Sequence, residues 1–132
     1  MGAKYKDDTI VIAGLLHDLC KTNYYVAGEK WRKNDKNKWE SYQGWGVDEK
    51  LPIGHGEKSI IIANRFLTLT AHEMIAIRWH MSAWDPGVHF NYPSGSAYRE
   101  SSERCPLLKM LIIADLQAEL YESLNPLDSI IR

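Results

Sequence analysis

Between Asn23 and Pro52 the chain changes its hydrophobic period, and one kind of secondary structure cannot accommodate both sides of that change. Outside this segment apolar residues recur at three- and four-residue steps. Inside it aromatic and polar residues alternate in two runs, Tyr24 to Lys33 and Lys38 to Val47, around Asn34-Asp35-Lys36-Asn37. Period-two alternation around an Asn- and Asp-rich break predicts a β-hairpin inserted between helices. The flanking helices announce themselves separately. Ile10, Ala13, Gly14 and His17 mark a helix over 9–21, with Asp7, Asp8 and Thr9 as capping oxygens and first-turn negative charge. Ile60, Ile61, Ala63, Asn64 and Leu67 mark a second over 57–67, after the Gly54-His55-Gly56 break. Thr70-Ala71-His72-Glu73 has the form of a capping box opening a third helix through about Trp84. Asp85 to Ser102 lacks periodicity and reads as a loop with at most a short helical turn. Pro106 opens a last helix through about Ser123, with Leu108, Leu111, Ile112 and Asp115 on one stripe, and the tail from Asn125 reads as loose. The expected fold class is all-α, a helical core carrying a β-hairpin at about 23–52, in a single domain spanning 1–132.

Composition narrows the function classes. The 132 residues, 45% hydrophobic and 25% charged, suit one compact domain. Sixteen Lys and Arg against seventeen Asp and Glu give a net charge of -1, which does not favour duplex DNA or an anionic membrane as partner. The longest uninterrupted apolar run, Ile10 to Leu16, is too short to span a bilayer, and the N-terminal MGAKYKDD lacks a signal-type apolar segment. Cys20 and Cys105 match no disulfide framework or CxxC metal spacing and read as packing residues. A cytoplasmic protein is expected.

The chemistry is announced by ionisable residues on apolar stripes. His17 and Asp18 fall on the inner side of the first helix, one turn after Gly14, whose missing side chain admits a close approach. Asp115 follows Leu111 and Ile112 on the most hydrophobic stripe, where an unpartnered carboxylate costs several kcal/mol and calls for an arginine, a set of donors or a metal. His80 flanks Met74, Ile77 and Met81, and His55 sits between two glycines. Imidazole and carboxylate from four elements suit a divalent cation of the Mn, Fe, Ni, Co, Zn or Mg kind. Each residue taken singly also suits a structural role, and His72 and His89 read as solvated.

The segment Ala13-Gly-Leu-Leu-His-Asp-Leu-Cys-Lys21 resembles the signature of the HD superfamily of metal-dependent phosphohydrolases. The resemblance continues through Leu51-Pro-Ile-Gly-His-Gly-Glu-Lys-Ser59, Ile77-Arg-Trp-His80 and Ile112-Ile-Ala-Asp115, from about Thr9 to Glu122, in the branch with the ligand order H, HD, H, H, D. It implies an HD-type helical core and one or two divalent metal ions. It makes Asp18 the bridging and catalytic carboxylate, places His17 and Asp115 on one metal, and places His55 and His80 on the other. Lys21 and Lys58 are the implied phosphate contacts. The implied reaction is hydrolysis of a phosphomonoester or phosphodiester of a nucleotide or nucleic acid by metal-activated water. A nucleotidase, a phosphodiesterase and a single-strand 3′→5′ exonuclease all fit the resemblance. A noncatalytic metal- or nucleotide-binding assembly module is the alternative.

One departure from the family pattern is specific. The family takes its first histidine ligand from a helix before the HD helix, and the sixteen residues before His17 contain no histidine. A natural short form, a piece of a longer chain and a subunit completed by another chain are the three readings. Apolar surface left by the absent helix leads to an expectation of homo-oligomers. In the hairpin, Tyr24, Tyr25, Trp31, Trp39, Tyr42 and Trp45 alternate with Lys30, Arg32, Lys33, Lys36 and Lys38. This mixture could bind single-stranded nucleic acid, but a hairpin held by cross-strand aromatic pairs beneath a basic edge is the expected reading.

Overall fold

The computed structural model describes residues 4–90 and 92–124. Helix α1 (Asp7–Leu16) leads through a 3₁₀ turn at Leu19–Lys21 to strands β1 (Tyr25–Lys33) and β2 (Trp39–Val47). Helices α2 (His55–Ala63) and α3 (Ala71–Trp79) follow, then a 3₁₀ turn at Ser82–Trp84, α4 (Pro86–Phe90), α5 (Tyr92–Arg104) and α6 (Pro106–Leu124). The all-α expectation is therefore corrected: the fold is mixed, helices plus a two-stranded antiparallel sheet. The physical reason is the length and regularity of the hairpin, nine residues on each strand in unbroken register from Tyr25↔Val47 to Lys33↔Trp39. Asn34 closes its turn, its side-chain oxygen accepting from Lys36 N and Lys38 N, while Asn37 takes the left-handed conformation at φ 57°.

Two other expectations shift. The first helix stops at Leu16 rather than running to Lys21, and the third stops at Trp79 rather than Trp84, with His17 and His80 as the respective C-caps. The 85–102 loop is largely helical. Asp85 Oδ1 accepts from Gly87 N at 2.7 Å and so opens α4 at Pro86. The polar helix α5 has little apolar periodicity of its own; it is anchored by Tyr98, whose hydroxyl meets Ser82 Oγ at 2.8 Å and whose ring lies 5.7 Å from that of Trp79. The side chain of His89 and the tail from Asn125 lie outside the described residues. His72 is not simply solvated, since its Nδ1 meets the Tyr5 hydroxyl at 2.8 Å.

The core has two parts. Ala13, Ala76, Trp79, Cys105, Leu107, Leu108 and Leu111 join α1, α3 and α6. Ala63, Leu69 and Ile77 form a second cluster, with Ile12, Leu16 and Ile60 packed against it. Both cysteines are buried and free, as packing residues should be. Beyond Leu111, α6 leaves its apolar stripe uncovered: Ile113, Leu116, Leu120 and Leu124 are exposed. No described helix is long and apolar enough to cross a membrane.

The capping box forms as expected. Thr70 Oγ1 accepts from Glu73 N, and Glu73 Oε2 accepts from Thr70 N at 2.7 Å, with Glu73 buried. Thr70→Ala removes one of these bonds at the start of the helix that ends on His80. It is expected to lower stability by about 1 kcal/mol, which urea unfolding will measure.

Candidate metal centre

The histidines that matter stand at helix ends. A helix leaves its last carbonyls without intrahelical partners, and both His17 and His80 use the ring to reach one: His17 Nδ1 lies 2.7 Å from Gly14 O, and His80 Nδ1 lies 2.7 Å from Ile77 O. A carbonyl only accepts, so both Nδ1 atoms donate and carry their protons. In the neutral ring each Nε2 then holds a lone pair, the tautomer a metal ligand requires.

Both lone pairs point at one carboxylate. His80 Nε2 lies 3.4 Å from Asp18 Oδ1, and His17 Nε2 lies 3.6 Å from Asp18 Oδ2 and 3.5 Å from Asp115 Oδ1. The two imidazoles stand nearly edge to face, centroids 4.8 Å apart. Asp18 Oδ1 and His80 Nε2 are buried and have no hydrogen-bond partner among the described residues. Lone pair against lone pair is repulsive, so a positive charge belongs between them. A proton would draw the pair to about 2.7–2.9 Å as a charge-assisted hydrogen bond. Two donors on one cation at bond lengths near 2.1 Å and a tetrahedral angle stand about 3.4 Å apart. The 3.4 Å between His80 Nε2 and Asp18 Oδ1 leaves room for a cation between them. One ligand atom each from His17, Asp18 and His80 lies within 4.8 Å of the others, a group that can hold a metal ion.

His80 beside it is the largest influence holding the Asp18 carboxyl well below the usual carboxylate range; desolvation opposes this, and the Lys21 ammonium, 2.7 Å from Oδ2, adds to it together with His17. Because the folded value is depressed, the stability Asp18 contributes to the metal-free protein is complete above the ordinary carboxyl value of about 4. It is lost as pH falls from there toward the depressed value. Asp18→Asn is expected to flatten the acid limb of a urea-midpoint titration run in chelator.

A cleft of about 730 Å³ opens onto the cluster, lined by Lys21, Trp84, Asp115, Glu119 and Glu122 among others. Of the expected site residues, the structure brings together His17, Asp18, Lys21, His80 and Asp115. Two expectations of detail are corrected. Asp115 is not a buried carboxylate: its side chain is 48% exposed, because among the described residues nothing covers this part of α6. Gly14 has no close neighbour among the described residues, since a Cβ placed there would meet nothing within 4 Å. His80 faces Oδ1 of Asp18 and His17 faces Oδ2.

His55 and Lys58 stand apart from the cluster. His55, on the first turn of α2, has Nδ1 3.6 Å from the Cys20 thiol and its ring 5.9 Å from that of Tyr24. It faces a second cleft of about 350 Å³, shared with Glu57, Arg78 and Trp84. Lys58 is nearly buried, its ammonium 2.6 Å from Glu49 Oε1 and 5.4 Å from the Tyr24 ring centroid. That pairing holds the Glu49 carboxyl below its ordinary value. Sequence reasoning missed Glu119 and Glu122 as cleft residues, although their four- and seven-residue steps from Asp115 put all three on one helical face. Trp84, on the 3₁₀ turn, carried no such signal. Comparison of the chain with family models, with curated proteins and with solved structures finds no match.

Proposed function

We propose that this chain is a divalent-metal-dependent phosphohydrolase of HD type, cleaving a phosphomonoester or phosphodiester of a nucleotide or nucleic acid. One observation carries the reading: two imidazoles, each fixed by a backbone carbonyl in the ligand tautomer, converge on a partly buried carboxylate beside a cleft. The ordered residues resembling the HD signature include this set. A divalent cation, when bound, supplies a Lewis acid that polarises a phosphoryl oxygen and acidifies water. His17, Asp18 and His80 hold it, with Asp115 alongside. Lys21, 44% exposed on the cleft wall, binds a phosphate oxygen. The donor set of nitrogen and oxygen fits Mn, Fe, Ni, Co or Zn, and Mg less readily.

The second reading, a catalytically impaired module that binds metal or nucleotide without turning it over, draws on the position of His55 outside the cluster. Elemental analysis after incubation with Mn or Fe, followed by phosphate release from nucleotides and oligonucleotides, separates the two. Bound metal with turnover supports the hydrolase, bound metal without turnover the module, and no bound metal overturns the hydrolase and leaves the module only as a nucleotide binder, which nucleotide titration then decides. The buried free thiols suit a reducing, cytoplasmic setting. The uncovered stripe of α6, with Val11 and Leu15 exposed on α1, supports self-association. Light scattering should show mass rising with concentration, and a strict monomer over a wide range would rule this out.

A further inference from the structure

The strand register divides the hairpin into two unlike faces. Residues paired across an antiparallel ladder share a face, so Tyr25, Ala27, Glu29, Trp31, Lys33, Trp39, Ser41, Gln43, Trp45 and Val47 stand on one side, and Val26, Gly28, Lys30, Arg32, Glu40, Tyr42, Gly44 and Gly46 on the other. Three of the five tryptophans in the chain are on the first face, 60–68% exposed. None of them stands opposite another aromatic residue: Trp45 is opposite Ala27, Trp31 opposite Ser41 and Trp39 opposite Lys33. Among the described residues none of the three rings contacts another aromatic ring, and a cation meets one of them, Lys33 Nζ at 5.6 Å from the Trp39 centroid. Cross-strand aromatic pairing therefore does not explain them.

Their spacing and charge do suggest an occupant. Successive same-face positions along a strand are about 6.8 Å apart, close to the repeat of an extended single strand of nucleic acid. Tyr25, Trp45, Trp31 and Trp39 occupy the first, second, fourth and fifth of the five levels of this face. At the far end, the tryptophan face and the turn carry Lys33, Lys36 and Lys38 against Glu29 and Asp35, while Lys30 and Arg32 stand on the opposite face with Arg32 paired to Glu40, in a chain of net charge -1. The near end follows the 3₁₀ turn that carries Lys21, whose ammonium holds Asp18 on the cleft wall.

We propose that this tryptophan face binds single-stranded nucleic acid, the bases stacking on Tyr25, Trp45, Trp31 and Trp39 while the lysines near the turn accept the backbone. On the hydrolase reading, on which this part rests, the face leads a strand end to the cleft beside Lys21. Binding itself needs no metal, so the two ideas fail separately.

The test is fluorescence anisotropy of labelled oligo-dT and oligo-U of about ten nucleotides, a length within the usual range of site sizes, with the full chain in chelator and at low salt. The expected result is binding that weakens as salt rises and that Trp31→Ala or Trp39→Ala weakens by about 5- to 150-fold. Trp31→Phe and Trp39→Phe should restore most of the loss, which a merely unfolded hairpin would not allow. The dT and U probes distinguish DNA from RNA within the proposal. Absence of binding, equal affinity for duplex, unchanged affinity in the alanine variants, or tryptophan-dependent dimerisation without nucleic-acid binding would each overturn it. Loss of binding with metal uptake intact rejects the platform alone. Binding with no metal uptake rejects the hydrolase alone.

Discussion

Asp18→Ala is expected to abolish phosphoester turnover and to weaken divalent-metal binding by more than about 100-fold. The bound rests on comparison: loss of a group that merely orients a ligand already costs about 10- to 100-fold in affinity, and Asp18 is the carboxylate that both His17 and His80 face. The same substitution should cost the metal-free fold only the contribution of Asp18 that is lost on the acid limb, and should cost it less than it costs metal binding. Its one short ion pair, to Lys21, is between side chains that are 33% and 44% exposed, and such pairs contribute roughly 0–1 kcal/mol. The contrast appears in thermal melts. Parent protein with metal at about 100 times its dissociation constant gains about 2.7 kcal/mol, whereas the variant should melt at nearly one temperature with metal or with chelator. Asp18→Asn, which keeps the shape and removes the charge, should behave the same way. A variant that retained stoichiometric metal and turnover would remove Asp18 from the site and with it the reading of the cluster.

The sequence made this cluster visible for a partly mistaken reason. His17, Asp18, His80 and Asp115 drew notice as polar residues interrupting apolar helix stripes. The histidines in fact stand where α1 and α3 end, and the ends supply the carbonyls that orient them. A periodicity argument finds the right residues there because a C-cap continues the helical step by one position, yet it cannot report that the chain turns. Asp115 was misjudged because a stripe in sequence becomes a core only if another element covers it, and among the described residues the second half of α6 has no such cover. His55 shows the limit of composition. Its flanking glycines were read as a break before the helix, and each serves the backbone: Gly54 takes φ +96° and Gly56 is packed against α3. The hairpin was the most legible element, since alternation and the Asn-rich turn are local signals that no tertiary contact had to supply. Helix α5 was the least legible, being fixed by Tyr98 against Ser82 and Trp79 from other parts of the chain.

Gly56→Ala is expected to be the most damaging single-methyl change in the described chain. A Cβ at Gly56 would lie 2.4 Å from Arg78 O, 2.7 Å from Arg78 Cα and 2.8 Å from Arg78 C. All three are backbone atoms, so no rotamer change relieves the clash and α2 must move off α3. The displaced strand of interactions is dense. Arg78 joins Glu57 and Asp85 at 2.6 Å each and lies over the Trp79 ring, and Asp85 opens α4. Overpacking against a fixed backbone costs about 1–3 kcal/mol, and strained ion pairs at Arg78 add to that. A loss of about 3 kcal/mol corresponds to a fall in melting temperature of roughly 10 °C for a domain of this size. Function should suffer as well, because His80 is two residues beyond Arg78 and its Nε2 must stay in register with Asp18. Gly14→Ala is the informative contrast. Gly14 lies in α1 with no atom within 4 Å of its Cβ position, so the substitution should stabilise the protein by up to about 1 kcal/mol while its carbonyl still holds His17. If the two alanine variants melted alike in chelator, the α2–α3 approach would not be what sets the position of His80, and the geometry of the metal centre would need another cause.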